Sequence, residues 1–182
     1  MSSLNGNYGR LLAWSSNIIK QKVDLMNMIV LKDTNDYTKK HEQFYHSSIG
    51  SHIRHSCDHY DKLLTLYDTR VISYDKRIRD SVIENDINTA IKHCDKLIIT
   101  LNNISINKNP HPNHPVIIEF MSDNNDNTNI QLGSDFMREL AFVTHHSVHH
   151  ISSVKLMMDS IGYIFKDSKY GLANSTISYK NE

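Results

Sequence analysis

Histidine is the residue type that offers this chain the most chemistry, because 12 of its 182 residues are histidines. Seven of them fall in two short segments and are His52, His55, His59, His145, His146, His149 and His150. A neutral imidazole nitrogen is a common ligand of zinc and nickel, and three such ligands leave a coordination position for water or a substrate. Two histidines from one segment and one from the other would therefore form an open divalent-metal site.

The second segment contains two pairs of histidines spaced by four residues, His145 with His149 and His146 with His150. On a helix such pairs lie about 40° apart and one turn along, so both imidazoles can reach one ion. The apolar residues of this segment form one stripe, which consists of Phe136, Leu140, Val143, Ile151, Val154, Met158 and Ile161. His150 and His146 lie roughly 40° and 80° from its centre, whereas His149 and His145 lie roughly 140° and 180° away. The predicted ligand pair is His146 with His150, and the other two are predicted to be exposed.

The first segment does not identify its ligand by spacing alone. On a helical wheel, His52 falls inside the apolar arc, His59 at its edge and His55 at the border with the polar face. In the later helix, Glu139 lies on the His146 side, about two turns earlier. A carboxylate there could orient a ligand or a water molecule and could serve as the catalytic proton acceptor.

Other features of the sequence disfavour several classes of function. A zinc-protease helix has glutamate after its first histidine, but His146 and Ser147 occupy that position in the two pairs, so peptidase activity is not expected. The 20 basic and 20 acidic residues balance, which removes the basic field that would recruit nucleic acid or an anionic membrane. No run of about 20 apolar residues and no signal-peptide pattern is evident. We therefore expect a cytoplasmic protein that binds neither nucleic acid nor membrane and whose two cysteines stay reduced.

The elements that must hold the histidines are predicted to be four helices. Apolar residues recur at steps of three and four in the segments 9–31, about 48–68, 87–101 and 135–161. Ser47 or Ser48 offers an N-cap for the second helix, and Gly162 offers a stop after the fourth. The long charged connection over 69–85 allows the helices that it joins to run parallel.

The remaining segments are predicted to be short or irregular. Three prolines over 110–115 prevent a helix there. The β-branched run 116–120 and residues 130–132, on either side of an Asn-rich turn, predict a small β-hairpin before the last long helix. Residues from about 170 onward are expected to be irregular. We therefore predict a single all-α domain over 1–182, with this hairpin as an addition.

At these residues the sequence resembles the DinB superfamily, the metal-binding helical bundles of the DinB and YfiT-like fold. Residues 48–55 (SIGSHIRH) are similar to the pattern of that family's second helix, a serine followed by a histidine seven positions later. Residues 146–150 (HSVHH) are similar to its fourth helix. Residues 132–140 (LGSDFMREL), with the hairpin before them, and 74–80 (YDKRIRD) resemble one subgroup. The likeness extends from the second helix through Gly162.

The resemblance implies a four-helix bundle of up-down-down-up order, in which His55, His146 and His150 hold a zinc or nickel ion. Some relatives look like metal-dependent thiol transferases or isomerases, in which the ion holds a small thiol as thiolate. A transferase or hydrolase acting on a small molecule or a thiol is thus implied, because a divalent ion lowers the pKa of a coordinated water or thiol. Arg77 and Arg79 could then bind a carboxylate of the substrate or of the low-molecular-weight thiol.

The alternative is a noncatalytic binding module, in which the ion only joins the second and fourth helices. A structural ion needs a fourth protein ligand, for which His52 and His59 are the candidates, whereas a catalytic ion keeps an open position. The expected partner is a small-molecule substrate, and a second copy of the chain, in a homodimer, is a further candidate. The sequence leaves open which reaction takes place and whether the ion is catalytic or structural.

Overall fold

Amphipathic segments do form the long helices of this chain, and a small sheet accompanies them. The computed structural model describes residues 2–69, 71–76, 81–121, 129–165 and 169–179, which are mostly helical. The helices are α1 (Ser2–Lys32), α2 (Ile49–Leu66), α3 (Val82–Asn85), α4 (Ile87–Asn107), α5 (Phe136–Ser160) and α6 (Asn174–Tyr179). Short 3-10 turns lie at 34–37, 42–44 and 67–69. The four predicted helices are thus confirmed as α1, α2, α4 and α5, and α1 and α4 are longer than predicted.

Side chains of the predicted type cap the helices that carry the histidines. Ser48, rather than Ser47, is the N-cap of α2, and it exchanges hydrogen bonds of 3.1 Å with Ser51 in a capping box. Asp135 caps α5 by accepting a hydrogen bond from the backbone N–H of Arg138 at 2.9 Å. Both caps fix the first turn of a helix whose later turns hold the site.

The long helices pack in pairs around a common core. α1 contacts α4 and α5, and α2 contacts α5 and α4. The predicted stripe of α5 faces this core, since Phe136, Leu140, Val143, Val154 and Met158 are fully buried. None of the helices in the described part of the chain has both the length and the apolar character needed to cross a membrane.

The core also encloses a lysine and two thiols. Cys57 and Cys94 are buried and free, with their sulfur atoms 3.7 Å apart. Lys22 is fully buried, and its Nζ lies 3.9 Å from the sulfur of Cys57. The hydrogen bond with Cys94 lowers the pKa of Cys57, and the charge of Lys22 acts in the same direction, against the opposing effect of burial.

The sheet has one more strand than the predicted hairpin. β2 (Pro115–Met121) pairs antiparallel with β3 (Asn129–Asp135), which confirms the hairpin and lengthens it. β1 (Val71–Ser73) adds a parallel strand on the other edge of β2. The prediction missed β1 because it has three residues, of which only Ile72 is buried, too few to show an alternating pattern.

The connection over 69–85, predicted to be simply charged and long, docks on α2 through α3. A Cβ at Gly50 would overlap the backbone carbonyl of Glu84, so glycine is required for this close approach. Tyr37 donates a hydrogen bond to the carbonyl of Ile83 at 2.7 Å, and Arg54 donates one to the Glu84 carboxylate at 3.0 Å. These contacts hold the end of the connection against the helix that carries His55.

The C-terminal segment also differs from the expectation that residues from about 170 are irregular. It contains α6, which the sequence did not reveal because it has six residues and mostly exposed side chains. Gly171, at a φ of 68°, donates its backbone N–H to the Gln21 side chain of α1 at 3.2 Å. The stop predicted after α5 is confirmed, since Gly162 has a φ of 80°.

We expect Val143→Asp to destabilise the protein by about 3 kcal/mol or more, because it places an unpaired charge in the core. Val143 has no exposed surface, whereas Leu156 on the same helix is 57% exposed. Leu156→Asp is therefore the matched control and should change stability by less than about 0.5 kcal/mol. Urea denaturation measures both, and equal stability of the two variants would contradict the observed phase of α5.

Candidate metal centre

Three histidines converge where α2 packs against α5. His55 Nε2 lies 3.1 Å from His146 Nε2, which in turn lies 3.1 Å from His150 Nε2. One ligand atom from each of the three residues lies within 4.8 Å of the others. The structure thus brings together the three histidines that the sequence analysis named, and their nitrogen atoms can approach one cation.

The environment of the three imidazoles favours the neutral form that binds metals. His150 is 9% exposed, and His55 and His146 are half-buried. Burial, and after it the neighbouring imidazoles of His146 and His55, lower the pKa of His150 to about 2. His150 therefore keeps an unprotonated nitrogen at neutral pH, as a metal ligand must.

The other two histidines of α5 lie on the opposite face, as predicted. His145 and His149 are both exposed. The ring of His145 packs edge-on against Trp14 of α1, with ring centroids 4.8 Å apart. The hydrophobic stripe therefore gave the correct phase for all four histidines of this helix.

The two candidates for a fourth ligand have other partners. His52 Nδ1 lies 3.0 Å from His150 Nδ1, and His52 Nε2 lies 3.2 Å from Ser47 Oγ, so both of its ring nitrogens are engaged. His59 Nδ1 donates to the carbonyl of His55 at 3.0 Å. Among the residues that the structure describes, the group whose ligand atoms lie close enough together to hold a metal ion consists of His55, His146 and His150, which we call the triad. It includes neither His52 nor His59.

Glu139 is a buried carboxylate about two turns before His146 in α5. It is 3% exposed and accepts hydrogen bonds from Ser134 Oγ at 2.6 Å, Tyr74 OH at 3.1 Å and Arg138 at 3.2 Å. Burial, and next the charge of Glu139, raise the pKa of Tyr74, so its hydroxyl stays protonated and continues to donate. Tyr74 and Ser134 could not be predicted individually as partners of Glu139, because neither lies at a spacing that would link it to this residue.

A cavity of about 460 Å³ is lined by Glu139 and by two of the three histidines. His55 and His146 lie in its wall, and so do the polar residues Asp75, Ser134, Arg138 and Glu139. The rest of the lining is mainly apolar or aromatic and includes His59, Tyr74, Ile118, Phe120, Leu132 and Phe142. Arg77 and Arg79, predicted to bind a carboxylate above the site, lie outside the described residues.

Comparison with known proteins does not assign the chain to a family. No family model matches it, and no solved structure matches it. A stretch of 109 residues, 60% of the chain, is 32% identical to FK506-binding protein 5 of Rhizopus delemar. The match covers 27% of that protein, so the chain spans about a quarter of the length of this curated relative.

We expect the metal-free protein to lose stability as the pH falls, partly because of His150. Its folded pKa is about 2, whereas in the unfolded chain it is near 6.5. Between these values the unfolded chain binds more protons, so the stabilisation is complete above about pH 6.5 and declines as the pH falls. Between pH 7 and pH 5, the free energy of unfolding should therefore fall by about 2 kcal/mol less in His150→Leu than in the wild type.

Urea denaturation at the two pH values, with a chelator present, measures this difference. His145→Leu, on the exposed face of the same helix, is the control and should keep the wild-type pH dependence. An unchanged pH dependence in His150→Leu would contradict the assignment of a buried, neutral imidazole.

Proposed function

We propose that this chain is a divalent-metal protein in which His55, His146 and His150 hold a zinc or nickel ion that remains open to a small molecule. We also propose that the chain folds as a DinB-like four-helix bundle of up-down-down-up order and that the protein acts in the cytoplasm. The observation that carries the proposal is the cavity that borders two of the three histidines. A ligand in that cavity would lie beside the ion.

The donor set fits such an ion. Three imidazoles supply neutral nitrogen ligands, which zinc and nickel accept, and their Nε2 atoms already face one another. When bound, the ion would supply a Lewis acid that lowers the pKa of a coordinated water or thiol. A transferase or hydrolase acting on a small molecule or a low-molecular-weight thiol is the activity that this arrangement supports best.

The residues around the cavity have distinct roles in this proposal. Glu139 is the proton acceptor, and the hydrogen bonds from Ser134 and Tyr74 hold its carboxylate in place. The aromatic and aliphatic walls exclude water and bind the apolar part of a ligand. Arg77 and Arg79 are proposed to bind a carboxylate of that ligand.

The alternative proposal is a noncatalytic module in which the ion only joins α2 to α5. It requires a fourth protein ligand; of the two sequence candidates, His52 is disfavoured because both of its ring nitrogens have partners, and the group with metal-ligand spacing includes neither His52 nor His59. FK506 binding, stated in the name of the Rhizopus delemar protein, is not part of the proposal because the match covers 27% of that protein.

We expect His55→Ala, His146→Ala and His150→Ala each to lose zinc or nickel during dialysis, whereas the wild type retains about one ion per chain, because two imidazoles bind far more weakly than three. The double variant His145→Ala/His149→Ala removes two exposed histidines from the same helix and should retain the ion. Elemental analysis of the dialysed proteins measures the metal content. Loss of the ion from the double variant, or its retention in all three single variants, would contradict the proposed ligands.

Cobalt-loaded wild-type protein then distinguishes the open site from the structural module. Titration with 2-mercaptoethanol should produce a sulfur-to-cobalt charge-transfer band if a coordination position is open to the cavity. A spectrum that does not respond to the thiol would favour the module, in which the ion is closed by protein ligands.

We expect Glu139→Gln to retain the ion but to weaken thiol binding near neutral pH, because the amide cannot accept the thiol proton. The same cobalt titration measures the apparent affinity. Glu119→Gln is the control, since Glu119 is an acidic residue of β2 that pairs with Lys76 and does not line the cavity. Equal thiol affinity in the wild type and Glu139→Gln would remove Glu139 from the proposed chemistry.

A further inference from the structure

A chain of hydrogen bonds leads from the backbone of Phe44 to the imidazole of His150. Ser47 Oγ donates to the carbonyl of Phe44 at 2.6 Å. His52 Nε2 lies 3.2 Å from the same Ser47 oxygen, and His52 Nδ1 lies 3.0 Å from His150 Nδ1. The chain ends at His150 Nε2, which lies 3.1 Å from His146 Nε2. It therefore connects a surface loop to the predicted metal ligands.

The carbonyl at the start of this chain determines the direction of every later hydrogen bond. A carbonyl oxygen can only accept, so the single proton of Ser47 Oγ points to Phe44. The Ser47 oxygen must then accept from His52 Nε2–H. A neutral imidazole has one N–H, so His52 Nδ1 is an acceptor.

The position of the proton on His150 follows from the acceptor role of His52 Nδ1. Because His52 Nδ1 accepts, His150 Nδ1 must carry the proton that it donates across the 3.0 Å contact. His150 Nε2 then carries a lone pair, and this is the nitrogen that faces His146. In this tautomer, His150 presents its acceptor atom to the centre of the triad.

The loop that holds Ser47 has a constrained backbone. Tyr45 and His46 have positive φ angles of 53° and 55°, which residues other than glycine seldom adopt. The loop is closed by hydrogen bonds of 3.0 Å from the backbone N–H of His41 to the carbonyl of Ser47 and from that of His46 to the carbonyl of His41. Tyr45 is 98% exposed, so packing of its side chain does not explain the conformation. This loop conformation places the Ser47 hydroxyl between the carbonyl of Phe44 and the imidazole of His52.

We propose that Ser47 and His52 are positioning residues that hold His150 in its Nδ1–H tautomer, so that its Nε2 is available to a divalent metal ion. The metal part of this inference rests on the proposed function. A metal-binding histidine usually donates its other N–H to an acceptor, which fixes its tautomer and orientation. Here the acceptor is a second histidine, itself oriented by a serine and a backbone carbonyl.

The assignment of the tautomer can be tested in the full chain without metal. In the ¹⁵N-histidine-labelled wild type with a chelator present, two-bond ¹H–¹⁵N correlation spectra should show His150 protonated at Nδ1. In His52→Leu the acceptor is absent, and His150 should shift toward the Nε2–H tautomer or a mixture of the two. If His52 only packed against His150, its replacement would not change the tautomer of His150. An Nε2–H tautomer of His150 in the wild type would overturn the proposal.

The consequence for metal binding is tested by chelator competition with zinc. His52→Leu should weaken zinc affinity about 10- to 100-fold, as loss of such an outer partner typically does. His52→Gln should recover most of the affinity, because the amide oxygen can accept from His150 while the amide N–H group donates to Ser47. His145→Leu, an exposed histidine replaced in the same way, is the control and should bind zinc as the wild type does.

Further results separate this inference from the proposed function. Ser47→Ala leaves the two histidines in place and should weaken zinc binding less than His52→Leu, which provides a milder variant if His52→Leu does not fold. If wild-type His150 has the Nδ1–H tautomer but the protein binds no zinc, the proposed function fails and the hydrogen-bonded chain is supported. If zinc binds equally well to the wild type, His52→Leu and Ser47→Ala, the positioning role is overturned and the metal site stands.

Discussion

The register between α2 and α5 is the constraint on which the rest of the site depends. One imidazole of the triad comes from α2 and two from α5, so a shift of one residue in either helix would rotate a ligand by about 100°. Thr144 helps to fix this register inside the core, because it accepts a hydrogen bond from Tyr60 of α2 at 3.3 Å. Its Oγ1 also lies 2.7 Å from Ser15 Oγ of α1. A buried polar contact of this kind is satisfied in one alignment only, whereas apolar packing tolerates several.

The site combines two requirements that oppose each other. Buried imidazoles must stay neutral because a charged ring would lose its hydration, yet each nitrogen that binds an ion must present a lone pair and not an N–H. The Nε2 contacts of 3.1 Å within the triad have hydrogen-bond distance, so an N–H in them would have to give way to a lone pair when an ion binds. A cation bound there would add its binding free energy to the stability of the fold, because the unfolded chain has no such site. Metal binding and helix packing would then support each other.

The sequence predicted the parts of this arrangement that depend on a regular period. An apolar stripe made of seven residues was enough to orient α5 and to separate the buried histidines from the exposed ones. The helical wheel could not select His55 in α2, since three histidines lay within or beside the apolar arc. That selection came from the resemblance to a family. The partners of Glu139 and the role of His52 could not be predicted, because they depend on how β1, β3 and the loop before α2 meet the helices. Such contacts between distant segments leave no periodic signal.

The division of the cavity wall between helices and sheet has a consequence for how the protein can diversify. The three histidines of the triad come from α2 and α5, whereas Ile118, Phe120 and Leu132 come from the strands β2 and β3. Phe120 is half-buried and Leu132 is exposed, and neither belongs to the hydrophobic core, so their size can change while the helices and the three histidines are retained. If the proposed function holds, ligand selectivity and metal affinity are therefore separately mutable traits, and variants with the same three histidines could accept molecules of quite different shape.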